Sequence, residues 1–522
     1  MPIHRALPQD QRFGLFTRAA CFLALFVFEQ TFLILPGNAQ EAATSAVPTS
    51  APRPAAKPES TTKKRKVAGL EVSGSWRARI EGWNWFQGSS GDNDYAFMHS
   101  LLRLGVGQQG DQFAWKLEAA QDAILGLPKT AVAPGPQGQL GLGGTYYAAN
   151  GNGSNNVNGF VKQAYIHVKK LGPLNLKLGR FEFIDGTELV PKDKTLGALV
   201  ETRVAQRLIG SFGWSAVGRS MDGLHLTSDF GSSNFTFVGG RPTRGAYQID
   251  GMGELNIDLV YGAYSRAVSG KNISGRLRVF GIGYFDHRDS VLKTDDRPLV
   301  VRSGDHQGIQ IGTYGAEYLE VFDLHNAGKF DVVGWGVLQT GSWGTQTHRA
   351  AAFFAEAGWQ PNAAMWRPWL SAGFSYGSGD DNPNDLTHGT FFQILPTPRP
   401  YARFPFWNMQ NNYDFWGALK VQPASKLSMR SELHWLRLAN SSDLWYLGGG
   451  AFQPRTFGYT GRPSNGNSSL ANTWDLSADY QATKSLAVAL YYGHAWGKSV
   501  IANIYPANPN GQFAYLETNL RF

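Results

Sequence analysis

From Leu70 onward, apolar and polar residues alternate with a period of two, the pattern of a strand with one wet and one dry face. In the last ten residues Ala514, Leu516, Thr518, Leu520 and Phe522 share one face, and Glu517, Asn519 and Arg521 share the other. The same holds for Val72, Trp76, Ala78 and Ile80 against Glu71, Arg77, Arg79 and Glu81. It recurs for Trp474, Leu476, Ala478 and Tyr480 against Asp475, Ser477 and Asp479. The pattern predicts strands near 70–86, 97–108, 112–121, 160–169, 174–181, 219–228, 233–239, 255–265, 274–286, 308–319, 330–340, 350–360, 367–376, 413–422, 425–438, 472–482, 485–496 and 513–522. That is about 18 strands; the weaker pattern over 255–340 leaves 16 as the alternative count.

Connection lengths separate a barrel from a sandwich. Even-numbered connections are mostly tight, such as Gln109-Gly110-Asp111 and Pro423-Ala424, whereas odd-numbered ones such as 122–159, 182–218, 377–412 and 439–471 are long. Short periplasmic turns alternating with long extracellular loops mark outer-membrane barrels, whose strands run apolar-out and polar-in. The predicted fold is therefore all-β: a transmembrane antiparallel up-and-down β-barrel over 70–522. Trp83, Trp85, Trp115, Trp359, Trp416, Trp435, Trp474 and Trp496 fall near predicted strand ends, where interfacial aromatic girdles would place them.

The N-terminus follows other rules. Arg5, Arg12 and Arg18 precede an apolar stretch from Ala19 to Leu35, and Pro36-Gly37-Asn38-Ala39 follows. A basic region, an apolar core and small residues predict a signal peptide over 1–39. It would take Cys21, the single Cys, with it. Residues 40–69 are rich in Ala and Pro and end in the basic run 63–66, a composition that predicts a disordered periplasmic linker. Export partners in the periplasm could be met through it.

Composition agrees with the barrel. The 522 residues include 62 Gly and 13% aromatics but only 17% charged residues, against about 25% in average soluble domains. The net charge of +8 divides into +5 on residues 1–69 and +3 on the barrel, so bulk charge gives no case for a nucleic-acid partner. Two motifs fail on context. Gly105-Val-Gly107-Gln-Gln-Gly110 leads into a strand, not the helix that a dinucleotide site needs. Gly373-Phe-Ser375-Tyr-Gly377 runs into a loop, not the helix of a nucleophile elbow; it keeps an outer-membrane lipase or esterase at Ser375 as a lesser alternative. Asp380, Asp381 and Asp385 in that loop are weak candidates for a hard cation, the histidines show no metal-ligand spacing, and no cofactor is expected.

Parity places Arg77, Arg79, Arg103, Lys177, Arg276, Arg278, Arg430, Glu432 and His434 on the inward face, as candidate pore-lining residues. The pairs 77/79 and 276/278 set two guanidiniums side by side with no acid between them, an arrangement that favours a visiting anion.

Several segments, taken in order, are similar to a known family. Phe160-Val-Lys-Gln-Ala-Tyr165 leading to Leu176-Lys-Leu-Gly-Arg180 resembles the paired-strand motif of the alginate export family. Arg219-Ser-Met-Asp222-Gly-Leu224 resembles its "RSFDG" strand, and Tyr376-Gly-Ser-Gly-Asp380 its "GD" loop. Phe391 to Pro396, and Ser442-Asp443-Leu-Trp-Tyr446 ahead of Trp474-Asp475-Leu476, resemble its C-terminal half. The resemblance implies an eighteen-stranded outer-membrane barrel that passes an acidic polysaccharide through an arginine-rich constriction. It marks Arg180, Arg219, Asp222 and Asp380 as family-motif positions. Strict alternation puts Arg180 and Asp222 on the outward face with Leu178 and Leu224, so a bulge or strand end is expected there. The function expected is a non-catalytic outer-membrane channel for an anionic polysaccharide or related solute, with a general or sugar-selective porin as the alternative.

Overall fold

The period-two segments form one continuous antiparallel sheet that closes on itself. The computed structural model describes residues 65–362 and 365–522; the expected signal peptide and most of the linker lie outside them. Eighteen strands make the wall: β1 Leu70–Asn84, β2 Asp94–Gln109, β3 Phe113–Leu125, β4 Asn156–Leu171, β5 Leu174–Phe181, β6 Met221–Phe230, β7 Ser233–Pro242, β8 Ile257–Ser269 and β9 Ile273–Asp286. The second half comprises β10 Ile309–Asp323, β11 Lys329–Trp343, β12 Gln346–Gln360, β13 Trp369–Gly377, β14 Asn412–Ala424, β15 Leu427–Arg437, β16 Ser469–Gln481, β17 Leu486–Gly497 and β18 Asn510–Arg521. Each strand pairs with its sequence neighbours, and β1 pairs with β18 from Ser75↔Arg521 to Asn84↔Gln512. Closure satisfies every strand edge, which a sheet in lipid requires. The count is 18 rather than 16. Residues Arg65–Val67 already pair with Leu70–Val72 as a short strand, so ordered structure begins ahead of the expected boundary at Leu70.

The connections segregate as predicted, with one exception. Turns at the end carrying both ordered termini are short, whereas the other end carries 126–155, 182–220, 287–308, 378–411 and 438–468. The exception at the long-loop end is Gly344-Thr345, which joins β11 to β12 directly. Outward positions such as Leu117, Leu338, Phe353, Phe415 and Leu490 are exposed, an apolar surface that lipid covers. No helix among the described residues is long and apolar enough to cross a membrane. The tryptophans divide. Trp359, Trp435 and Trp496 are exposed on the outside, but Trp83, Trp85 and Trp416 are buried inside the barrel. Trp83 stacks on Phe513 at 4.1 Å between ring centroids, so these three serve internal packing rather than a girdle.

The inside is not an open tube. Segments 182–220 and 378–411 fold back into it and run side by side. Gly210 N donates to Leu395 O at 2.8 Å and Leu395 N to Leu208 O at 2.9 Å. Leu208, Ile209, Phe212, Phe392, Ile394 and Leu395 are buried there. A short helix, Lys194–Leu199, leads into the first segment; the Asp193 carboxylate accepts its Leu196 N–H at 2.9 Å. A π-helical turn, Val200–Val204, follows and delivers Arg203 to the lumen.

Candidate functional site

Parity determines which side chains the wall turns inward, and register determines what each meets. Arg79 lies opposite Glu517 across the seam, and its Nε donates to that carboxylate at 2.7 Å. It also donates to Glu81 at 3.1 Å and to Trp214 O at 2.8 Å. Arg77 donates to Gly213 O at 2.6 Å and to Ser215 O. On the other side of the barrel, Arg278 lies opposite Glu317 and donates to it at 2.9 Å; Arg276 donates to the same carboxylate and to Gly186 O at 2.8 Å. The two arginine pairs, which have no acid between them in sequence, therefore meet acids in the fold. Glu517 and Glu317 sit on neighbouring strands and Glu81 two residues beyond Arg79 on β1, none of them between the paired arginines in sequence. The guanidiniums are held by wall carboxylates and by the backbone of segment 182–220.

The other wall candidates are also engaged. Arg103 bridges Glu118 at 2.7 Å and Glu182 at 2.8 Å. Lys177 lies over the Tyr165 ring at 4.6 Å. Arg430 donates to Glu432, whose same oxygen accepts from Arg203 at 3.1 Å. His434 Nδ1 bonds Asp414 at 3.0 Å. Ser375 is turned inward and buried on β13, opposite Asp414.

Arginines that sequence reasoning missed lie on the inward segments. Arg207 sits over the Tyr401 ring at 4.0 Å and the Phe354 ring at 4.3 Å. Arg399 lies over Trp214 at 4.0 Å, its Nη1 and Nη2 are both without a hydrogen-bond partner, and it is only 8% exposed. Burial holds the Arg399 guanidinium below the usual arginine pKa. The signal for these residues was weak, because long loops carry no periodicity that predicts which way a side chain points.

A second polar group lies among the long loops. Asp443 accepts from Thr390 Oγ1 at 2.6 Å, Tyr446 Oη at 2.7 Å and Asp380 N at 3.0 Å. Burial pushes Asp443 up to about 6. Burial, followed by the charges of Asp380 and Asp443, pushes Asp296 up to about 8. The weak cation candidates Asp380, Asp381 and Asp385 lie on the 378–411 loop. Asp380 accepts the N–H groups of Asn382 at 3.0 Å and Gly389 at 2.8 Å, Asp385 that of Thr387 at 2.7 Å, and Asp381 is exposed. Among the described residues, three metal-compatible side chains come together elsewhere, at Glu432, His434 and Asp475. The period-two spacing Glu-x-His on one strand was the available signal for that group.

Comparison with known proteins fits this arrangement. The alginate export family model matches residues 155–503, more than half of the chain. The chain belongs to the alginate export family. No curated protein sequence matches it. Among solved structures, the outer-membrane protein OpdK of Pseudomonas aeruginosa superposes with a TM-score of 0.51 at 9% identity, covering 87% of this chain and 99% of that one. OccD3 (OpdP) of the same organism gives 0.52 at 11%, covering 87% and 92%. OccAB4 of Acinetobacter baumannii gives 0.52 at 8%, covering 89% and 100%. At these identities the likeness is one of fold. This member of the alginate export family is an outer-membrane β-barrel channel.

The family-motif positions of this alginate export protein take separate places. Arg180 and Asp222 face each other across β5 and β6 and pair at 2.6 Å. Both lie on the parity of exposed Leu178, close to the strand ends, and Arg180 also donates to Met252 O at 2.8 Å. They bind the 243–256 loop to the rim. Arg219 is buried in the lumen, where it donates to Ala451 O at 3.2 Å, Pro396 O at 3.3 Å and Gly449 O. It joins its own segment, 182–220, to the 378–411 and 438–468 loops through their carbonyls. Asp380 is the buried loop residue described above.

Proposed function

We propose that this channel is a passive, non-catalytic conduit for an anionic polysaccharide or a related anionic solute. Arg399 is the observation that carries the reading. A guanidinium inside the lumen with two unpartnered terminal nitrogens, held over Trp214, offers a forked donor to a carboxylate. Arg207, Arg219 and Arg403 lie on the same two inward segments. The wall arginines support this indirectly, by holding those segments in place. The reading without catalysis is supported by Ser375, which sits within a strand rather than on a strand-to-helix elbow, and which no hydrogen bond joins to His434. Periplasmic export partners acting through the linker belong to the same proposal; the basic run 63–66 supports them.

The test is reconstitution in a planar bilayer. Anion selectivity is expected, with block by uronate oligomers. Arg399→Ala should weaken that block about 10–100-fold, the loss of one charge-assisted hydrogen bond of roughly 1.5–3 kcal/mol. Cation selectivity, or absence of conductance, overturns the proposal. A porin for small solutes is the second reading, favoured by one fold neighbour, OpdK, having been crystallised with vanillate. Block by neutral oligosaccharides but not by uronates would select a sugar porin instead.

A further inference from the structure

Inside the wall, β15 and β16 place three ligand-type side chains on one patch. Glu432 and Asp475 are direct cross-strand partners, and His434 follows Glu432 by two residues on the same face. One ligating atom from each lies within 4.8 Å of the others, and all three residues are at most 2% exposed. Two carboxylates directly opposite each other repel, and burial makes the repulsion larger.

The hydrogen bonds divide each side chain in two. Glu432 Oε1 accepts from Arg203 at 3.1 Å and from Arg430. His434 Nδ1 bonds the Asp414 carboxylate at 3.0 Å, and Asp475 Oδ1 accepts from Tyr491 Oη. The opposite atoms, Glu432 Oε2, His434 Nε2 and Asp475 Oδ2, have no hydrogen-bond partner. Leaving such atoms buried and unused costs about 1–3 kcal/mol each. None of the three atoms has a partner in hydrogen-bonding geometry, and a cation held by all three would supply one. Tetrahedral ligands each about 2.1 Å from one ion are about 3.4 Å apart, so side-chain shifts of about an ångström close the site. An imidazole whose far nitrogen is held by a carboxylate is also the usual orientation of a metal-ligating histidine.

We infer that Glu432, His434 and Asp475 form a binding site for a divalent first-row transition cation of the zinc or manganese type, oriented by Asp414 and Tyr491. One imidazole and two carboxylates suit such borderline ions, and three protein ligands leave a position open to solvent or solute. The site is separate from Arg399 and stands whether or not the channel carries an anionic polymer.

The test uses the untagged full-length protein in detergent, stripped with a chelator and titrated calorimetrically with Zn²⁺ alone. One ion per chain is expected. His434→Ala should abolish binding, and Asp414→Asn should weaken it about 10–100-fold. His287→Ala, an exposed histidine on the outside of the loops, should leave it unchanged. Heat-modifiable migration on gels confirms that each variant is folded. Absence of binding by the wild type, or equal binding by folded His434→Ala, overturns the proposal. Should His434→Ala not fold, anomalous scattering at the zinc edge from soaked wild-type crystals decides. A peak between the three side chains supports the site, and a peak elsewhere or none refutes it.

Discussion

Arg79 shows what a residue's sequence context conceals. Its neighbours in the chain contain Glu81 but not Glu517, which reaches it only because the last strand closes on the first. The inward direction of Arg79 was legible from parity. Its partner was not, since register across the seam is a property of the closed barrel. Arg278 and Glu317 repeat the lesson between β9 and β10. Removing one partner of a buried ion pair leaves an uncompensated charge and costs about 3–5 kcal/mol. Glu517→Gln is expected to cost less, because Glu81 and Trp214 O still engage Arg79. It should nonetheless lower the temperature at which the heat-modifiable folded band disappears, and Glu317→Gln, which faces two arginines, should lower it further. Equal temperatures for the two variants would contradict this ranking.

At the scale of elements, the strands were legible and the inward segments were not. Every expected strand corresponds to one of the eighteen, because lipid on one side and water or protein on the other impose alternation at each position. Segments 182–220 and 378–411 are irregular and pack much of their length against the wall and each other rather than between lipid and water, so nothing periodic marks them. Their position depends on the wall: Arg77 and Arg79 hold residues 213–215, and Arg276 holds 186 and 189. The double variant Arg77→Ala, Arg79→Ala therefore does more than remove two charges. Residues 211–217 should lose hydrogen-exchange protection, and single-channel conductance should rise with faster flicker as the segment leaves the lumen axis. Unchanged conductance together with unchanged exchange would refute the role of these arginines as anchors.

For the whole molecule, closure and the mouth set separate limits. At the seam, Gly74 exchanges both backbone hydrogen bonds with Phe522, at 2.8 and 3.0 Å. A side chain at Gly74 would put its Cβ 2.2 Å from the Phe522 ring, so Gly74→Val should reduce the yield of heat-modifiable barrel, and gel migration after refolding reads that yield directly. At the other end, the 287–308 loop is tied to the 438–468 loop by Thr294 Oγ1 donating to Tyr459 O at 2.8 Å and Arg288 to Thr456 O at 2.8 Å. Asp296 and Asp443 lie on these two loops, with pKa values raised by burial to about 8 and about 6. A carboxyl group raised in the folded loops keeps its proton where the unfolded chain has lost it, near pH 4. Its contribution is therefore full below about pH 4 and is lost as pH climbs to about 8. The loops should loosen over that interval, and the new charge on Asp296 should repel an arriving anion. Hydrogen exchange in 287–308, corrected for its intrinsic pH dependence, is expected to accelerate between pH 5 and 8 while anion conductance falls. Asp296→Asn cannot ionise, so both trends should flatten above pH 6, and a variant that retained the full pH dependence would separate the mouth's titration from Asp296.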